Sequence, residues 1–154
     1  MFLATGGFAL ALLVWASMMQ PMEGATKDPP WAEDHAPLSG AAYSAAELAA
    51  DERRVYVLDQ RRLPGEVVYL TCETLDAVAA SIADMAVRGA PAIGITAAYG
   101  MTVAAAAAVG RSAEAYRQAL ADAGARLDAT RPTAVNLAWA LRRCLALAAQ
   151  HAGD

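Results

Sequence analysis

Gly89 and Pro91, two positions apart, fix where the most apolar helix of this chain begins. Gly89 turns through backbone angles closed to other residues, Pro91 pre-sets a first-turn angle, and Ile93 to Gly100 continues as a helix. Within Val87-Arg88-Gly89-Ala90-Pro91-Ala92-Ile93-Gly94, a cation and a sterically open backbone therefore stand where an apolar helix starts. The first amides of such a helix lack internal acceptors. Together with the positive end of the helix dipole they favour a phosphate or carboxylate, to which Arg88 adds a forked, charge-assisted contact. Residue types alone favour the ordinary reading, a helix start with a solvated arginine.

A second arginine repeats the arrangement 43 positions later, in Thr130-Arg131-Pro132-Thr133. Pro132 near a first turn is followed by Ala134 to Gln150, with Leu137, Leu141, Cys144, Leu145 and Ala148 on one side. The spacing lets two helices return the chain to the same end of a bundle, so Arg88 and Arg131 can converge on one anion. Neither arginine is specific alone; two, each set against a proline at a helix start, are better evidence for a phosphate clamp. Asn136 either points to that site or hydrogen-bonds locally, the more usual role of such a residue.

The rest of the chain reads as mainly α with a small β-hairpin. Val55-Tyr56-Val57-Leu58 and Val67-Val68-Tyr69-Leu70 flank the turn sequence Leu63-Pro64-Gly65-Glu66, and Asp59-Gln60 closes the first arm. Ser44 to Glu52 is compatible with a short helix, with order beginning clearly at Arg53. Thr74 caps a helix expected to end at Arg88-Gly89, and a central helix runs from Pro91 until Gly110 breaks it. Ser112 caps the next, with Tyr116, Leu120 and Leu127 on a modest apolar face.

The 154 residues fit one domain and leave length for a core. With 57% hydrophobic against 18% charged residues, disorder throughout is excluded, and a net charge of -4 supplies no basic field for nucleic acid. Cys72 and Cys144 lie in apolar stretches without a CxxC, and His35 and His151 stand apart, so neither a zinc site, a disulfide framework nor a catalytic relay is indicated. Residues 1–20 read as an apolar leader, 21–52 as a linker, and 53–154 as the helical domain. The uncharged run Phe2 to Met19 admits a signal peptide, a marginal membrane span, or a spurious upstream extension. The absence of a positive start argues against the first, and Gly6 and Gly7 weaken the second. The reading is an extension or a weak anchor.

Leu58-Asp59-Gln60 with Leu63-Pro64, Met85 to Gly94, Ala97-Ala98-Tyr99-Gly100, and Arg131 to Leu137 resemble the methylthioribose-1-phosphate isomerase family over about Val55 to Leu147. That family is shared with regulatory subunits of the eukaryotic translation initiation factor that exchanges guanine nucleotide. The resemblance implies an N-terminal helical domain of an isomerase, acting in methionine salvage to convert an aldose phosphate into a ketose phosphate in the cytoplasm, without metal or redox cofactor. It implies substrate-binding roles for Arg88, Gly89, Ala90 and Arg131, a small-molecule sugar phosphate as partner, and a homodimer for the full-length protein. It also implies that the catalytic cysteine and aspartate lie in a Rossmann-like C-terminal domain absent here, separately encoded if the protein is active. Neither Cys72 nor Cys144 matches that cysteine, and Asp59 reads as a turn carboxylate, so no catalytic residue is assigned and an inactive isolated chain is expected. The other reading is a non-catalytic module that senses a sugar phosphate or nucleotide.

Overall fold

A computed structural model describes residues 44–151. The apolar leader, most of the linker and His35 lie outside them. A three-stranded antiparallel sheet is followed by four helices: β1 Ala46–Leu48, β2 Val55–Leu58, β3 Tyr69–Cys72, α1 Leu75–Ala83, α2 Ala90–Ala108, α3 Ala113–Asp128 and α4 Val135–His151. The expectation of a mainly helical domain with a small β element is met, the hairpin having gained a third strand.

That strand corrects the reading of Ser44 to Glu52 as helix, and it moves the start of the folded unit back into the segment read as linker. The nine residues from Ser44 to Glu52 are too few to hold a helix on local preference, whereas Ala46 and Leu48 gain pairing with Val57 and Val55 and burial in the core. Ala46-Glu47-Leu48 does alternate apolar and polar residue types, but three positions are too few to mark a strand, and Glu47 is itself fully buried rather than facing solvent. Glu52, with φ 58, turns the chain towards β2, and the Ala49 N–H donates to the Arg54 carbonyl at 2.9 Å.

β2 pairs next with β3 in the register Val55↔Cys72, Val57↔Leu70. The second arm thus falls two residues later than Val67 to Leu70. The intervening loop explains the displacement: the Asp59 N–H donates to the Val68 carbonyl at 2.8 Å, and the Arg62 N–H to the Asp59 carbonyl at 3.1 Å, so residues to 68 belong to the turn.

α1 starts where the Thr74 hydroxyl accepts from the Ala77 N–H at 3.2 Å. It ends at Ala83, five residues before Arg88, because Met85 adopts the left-handed conformation (φ 58) and the Ala86 N–H turns back to the Ser81 carbonyl at 3.0 Å. Ala86 and Val87 are then buried, fixing the approach to α2. α2 is buried from Ile93 through Val103 and is the central element, packed against α1, α3, α4, β1 and β2. It is long and apolar enough to cross a membrane, but here its apolar surface is covered by its own fold. Ser112 caps α3 through the Ala115 N–H at 3.3 Å, as expected from the sequence. Leu120, Ala123 and Leu127 of α3, and Leu137, Leu141 and Cys144 of α4, complete the core around α2.

Candidate functional site

Gly89 precedes α2 with φ 90 and ψ 131, a conformation that L side chains rarely adopt. Having no side chain, it cannot cap the helix, and Pro91 has no N–H. The first-turn amides of Ala90 and Ala92 are left without a helical acceptor, as an anion site needs. Arg88, one residue earlier, is exposed; its Nε donates to the Met85 carbonyl at 3.3 Å, and it forms no ion pair among the described residues.

The half-buried Arg131 lies in the turn before α4, its carbonyl accepting from the Ala134 N–H at 2.9 Å. The side chain of Arg131 forms no ion pair among the described residues either. Ala134 offers no side-chain oxygen to cap α4. The two helix starts are neighbours: a Cβ built on Gly94, in the second turn of α2, would stand 3.0 Å from the carbonyl oxygen of Asn136, the second residue of α4. Arg88 and Gly89 thus lie before one helix start, of which Ala90 is the first residue, and Arg131 lies before its neighbour. Asn136 contributes its backbone to that contact.

Gln60 holds the first of these segments. Its N–H donates to the Ala86 carbonyl at 2.8 Å, and its side-chain Nε2 reaches the Arg88 carbonyl at 3.4 Å. In the sequence Gln60 ends the first hairpin arm and belongs to the Leu58-Asp59-Gln60 block, but its hold on residues 86 and 88 comes from the tertiary fold. Asp59 beside it is buried, and its carboxylate accepts from Arg61 Nε at 2.7 Å, Arg61 Nη2 at 2.8 Å and the Arg61 N–H at 3.2 Å. The Arg61 side-chain hydrogen bonds hold its carboxyl below the usual range, against a smaller opposing effect of burial. An ionised carboxylate so fully engaged is a turn device, as read from the sequence.

A hollow of about 200 Å³ opens beside the α2 start, lined by Ser44, Ala45, Ala46, Gly89, Pro91, Ala92 and Ile95. Its β1 wall falls in the segment read as linker and helix, so no pattern in the sequence pointed to it. Cys72 and Cys144 are both buried, and burial raises their thiols, that of Cys144 to about 12. Neither is a ready thiolate nucleophile. Among the described residues no three His, Cys, Asp or Glu side chains are grouped so as to hold a metal ion.

A helical unit with two arginine-flanked helix starts beside a three-stranded sheet defines a class, and residues 86–154 match the Initiation factor 2 subunit family. The particular likeness is to methylthioribose-1-phosphate isomerases. The enzyme of Herpetosiphon aurantiacus is 52% identical over 92 residues, covering 60% of this chain and 26% of that protein. That of Alkalilimnicola ehrlichii is 56% identical over 87 residues, covering 56% and 25%. The crystal structure of 5-methylthioribose 1-phosphate isomerase from Pyrococcus horikoshii OT3 superposes with a TM-score of 0.67 at 37% identity, over 71% of this chain and 30% of that one. Translation initiation factor eIF-2B, subunit delta, from A. fulgidus gives 0.58 at 27%, over 71% and 35%. The resemblance read from the sequence is borne out, and the chain spans about a quarter of the length of the isomerases it matches.

Proposed function

We propose that this chain is the substrate-binding N-terminal part of a methylthioribose-1-phosphate isomerase, holding the sugar phosphate between the α2 and α4 starts. The observation that carries the reading is the close approach of Gly94 to Asn136, which sets two helix starts side by side, each preceded by an arginine. Arg88 and Arg131 supply positive charge and forked donors, while the Ala90 and Ala92 amides supply directed hydrogen bonds. Anchoring the charged group positions the sugar carbons for proton transfer by groups outside this chain.

Over 71% of the chain in each case, 37% identity and a TM-score of 0.67 to the isomerase, against 27% and 0.58 to the initiation factor subunit, favour the enzyme over a non-catalytic sensing module. A cytoplasmic location and a full-length homodimer follow from the same reading. So does inactivity of the 154-residue chain alone, since Cys72 and Cys144 are buried and Asp59 is engaged by Arg61.

Calorimetric titration with 5-methylthioribose 1-phosphate tests the site. Arg88→Ala and Arg131→Ala should each weaken binding about tenfold or more, in line with roughly 1.5–3 kcal/mol for a charged hydrogen bond. Wild-type affinity in both variants would overturn the proposal. Formation of ketose phosphate by the isolated chain would overturn its inactivity.

A further inference from the structure

We infer that Gln60 is a positioning residue for the candidate anion site: its side chain fixes the peptide between Arg88 and Gly89, and so aims the Gly89 N–H as a further donor to the anion. The inference rests on the proposed function and assigns a part to the loop between β2 and β3, to which that reading gives none. Gln60 stands between Asp59 and Arg61, and the Asp59 carboxylate, by accepting from Arg61 Nε, Nη2 and N–H, locks the turn on both sides of it. From that turn Gln60 makes two bonds across the fold. Its N–H donates to the Ala86 carbonyl at 2.8 Å, which secures the segment. Its Nε2 reaches the Arg88 carbonyl at 3.4 Å, 28 positions along the chain, which sets one peptide plane.

In a trans peptide the C=O and N–H point in opposite directions. Drawing the Arg88 carbonyl towards Gln60 therefore turns the Gly89 N–H away from the loop. That N–H donates to no acceptor among the described residues, and the space beside Gly89 is open, since a Cβ built there would meet nothing within 4 Å. The next peptide is fixed from the other side, where the Gly89 carbonyl accepts from the Ile93 N–H at 3.0 Å. Gly89 is thus held at φ 90 and ψ 131 between the loop and the first turn of α2. A glycine has more backbone freedom than any other residue, so without both holds its N–H would have no fixed direction. With both, the donor is aimed before a ligand arrives, and binding does not carry the entropy of ordering it.

Gln60→Ala and Gln60→Glu both remove the Nε2 donor and keep the backbone bond to Ala86, the second at nearly constant volume. In titrations of the 154-residue chain with 5-methylthioribose 1-phosphate, Gln60→Ala should weaken binding about fivefold. Gln60→Glu, which also sets a negative charge near the anion, should weaken it further. The thermal midpoint should stay within about 2 °C of wild type, because a long, exposed hydrogen bond adds little to stability. In the ¹⁵N-labelled chain without ligand, the Gly89 amide resonance should move in both variants while that of Ala115, at the Ser112 cap, stays in place. A loss of affinity matched by a fall in thermal midpoint, with the Gly89 resonance unmoved, would make Gln60 a merely structural residue and overturn the inference alone. Wild-type affinity in both variants would do the same. Absence of binding by the wild-type chain overturns the proposed function, and the role of Gln60 with it.

Discussion

Gly94 and Asn136 meet backbone to backbone: a Cβ on Gly94 would lie 3.0 Å from the Asn136 carbonyl oxygen and 3.4 Å from its carbonyl carbon. An α-helix can move a flexible side chain out of the way, but it cannot move its own carbonyl without disturbing the first turn. This contact sets the separation of the α2 and α4 starts, and with it the relation of Arg88 to Arg131.

Gly94→Ala should therefore force α2 and α4 apart. We expect a loss of about 1–3 kcal/mol in stability, the usual cost of overpacking a tight contact. Binding of 5-methylthioribose 1-phosphate should weaken as well, even at temperatures where the variant is fully folded. Urea unfolding followed by titration checks both; an unchanged midpoint and affinity would show that the helices absorb the methyl group.

Asp59→Asn tests the turn that leads into Gln60. Asp59 has a folded pKa lowered by Arg61, so its contribution to stability is complete above the unfolded value of about 3.9 and is lost as pH falls through the folded value. The variant should lose about 1–3 kcal/mol at neutral pH, since a buried carboxylate with three hydrogen bonds becomes a neutral amide. Its unfolding free energy should also fall less steeply than that of the wild type below about pH 4. Parallel acid limbs in the two proteins would sink the idea.

The helices were legible because their signals are local. Thr74 and Ser112 cap where their residue types suggest, and Gly89 with Pro91 marks the α2 start within one residue. Strand β1 was not legible, because its stability comes from pairing with β2 and burial against α2, neither of which leaves a trace in Ala46-Glu47-Leu48. The early end of α1 was hidden for a related reason: Met85 accepts a left-handed conformation that residue types would assign to a glycine or asparagine, and buried Ala86 and Val87 anchor the reversal. At the site, the charges could be read directly, whereas the hollow depends on β1 and inherited its invisibility.

Ser112→Ala isolates one of those legible signals. The hydroxyl accepts from the Ala115 N–H at an exposed helix start, so its removal should cost about 1 kcal/mol and lower Tm by roughly 4–8 °C for a folded unit of this size. Sugar-phosphate affinity should be untouched. A thermal scan showing no shift would mean that water replaces the cap without cost.

Cys144 should behave as a core residue in labelling experiments. With its thiol pushed up to about 12 by burial, the thiolate is scarce at pH 8, and access is blocked as well. Iodoacetamide at pH 8 should leave it unmodified in the native chain and modify it fully in denaturant, as mass spectrometry of the peptide will report. Rapid native labelling would place the thiol at an accessible surface and reopen its chemistry.

Gly89→Ala separates the backbone's part in anion binding from that of the arginines. Open space surrounds the position, so no steric neighbour opposes a methyl group, yet φ 90 with ψ 131 is strained for any L side chain. The strain, about 1–3 kcal/mol, is relieved by changing φ or ψ at position 89, and a change in ψ rotates the peptide that leads into Ala90. That rotation turns the first amide of α2 away from the ligand while Arg88 keeps its charge. Phosphate binding should thus weaken several-fold with its salt dependence retained, whereas Arg88→Ala should weaken binding and flatten the salt dependence together. Titrations at low and high ionic strength distinguish the two; a Gly89→Ala variant with wild-type affinity would remove the amides from the site and leave the arginines alone.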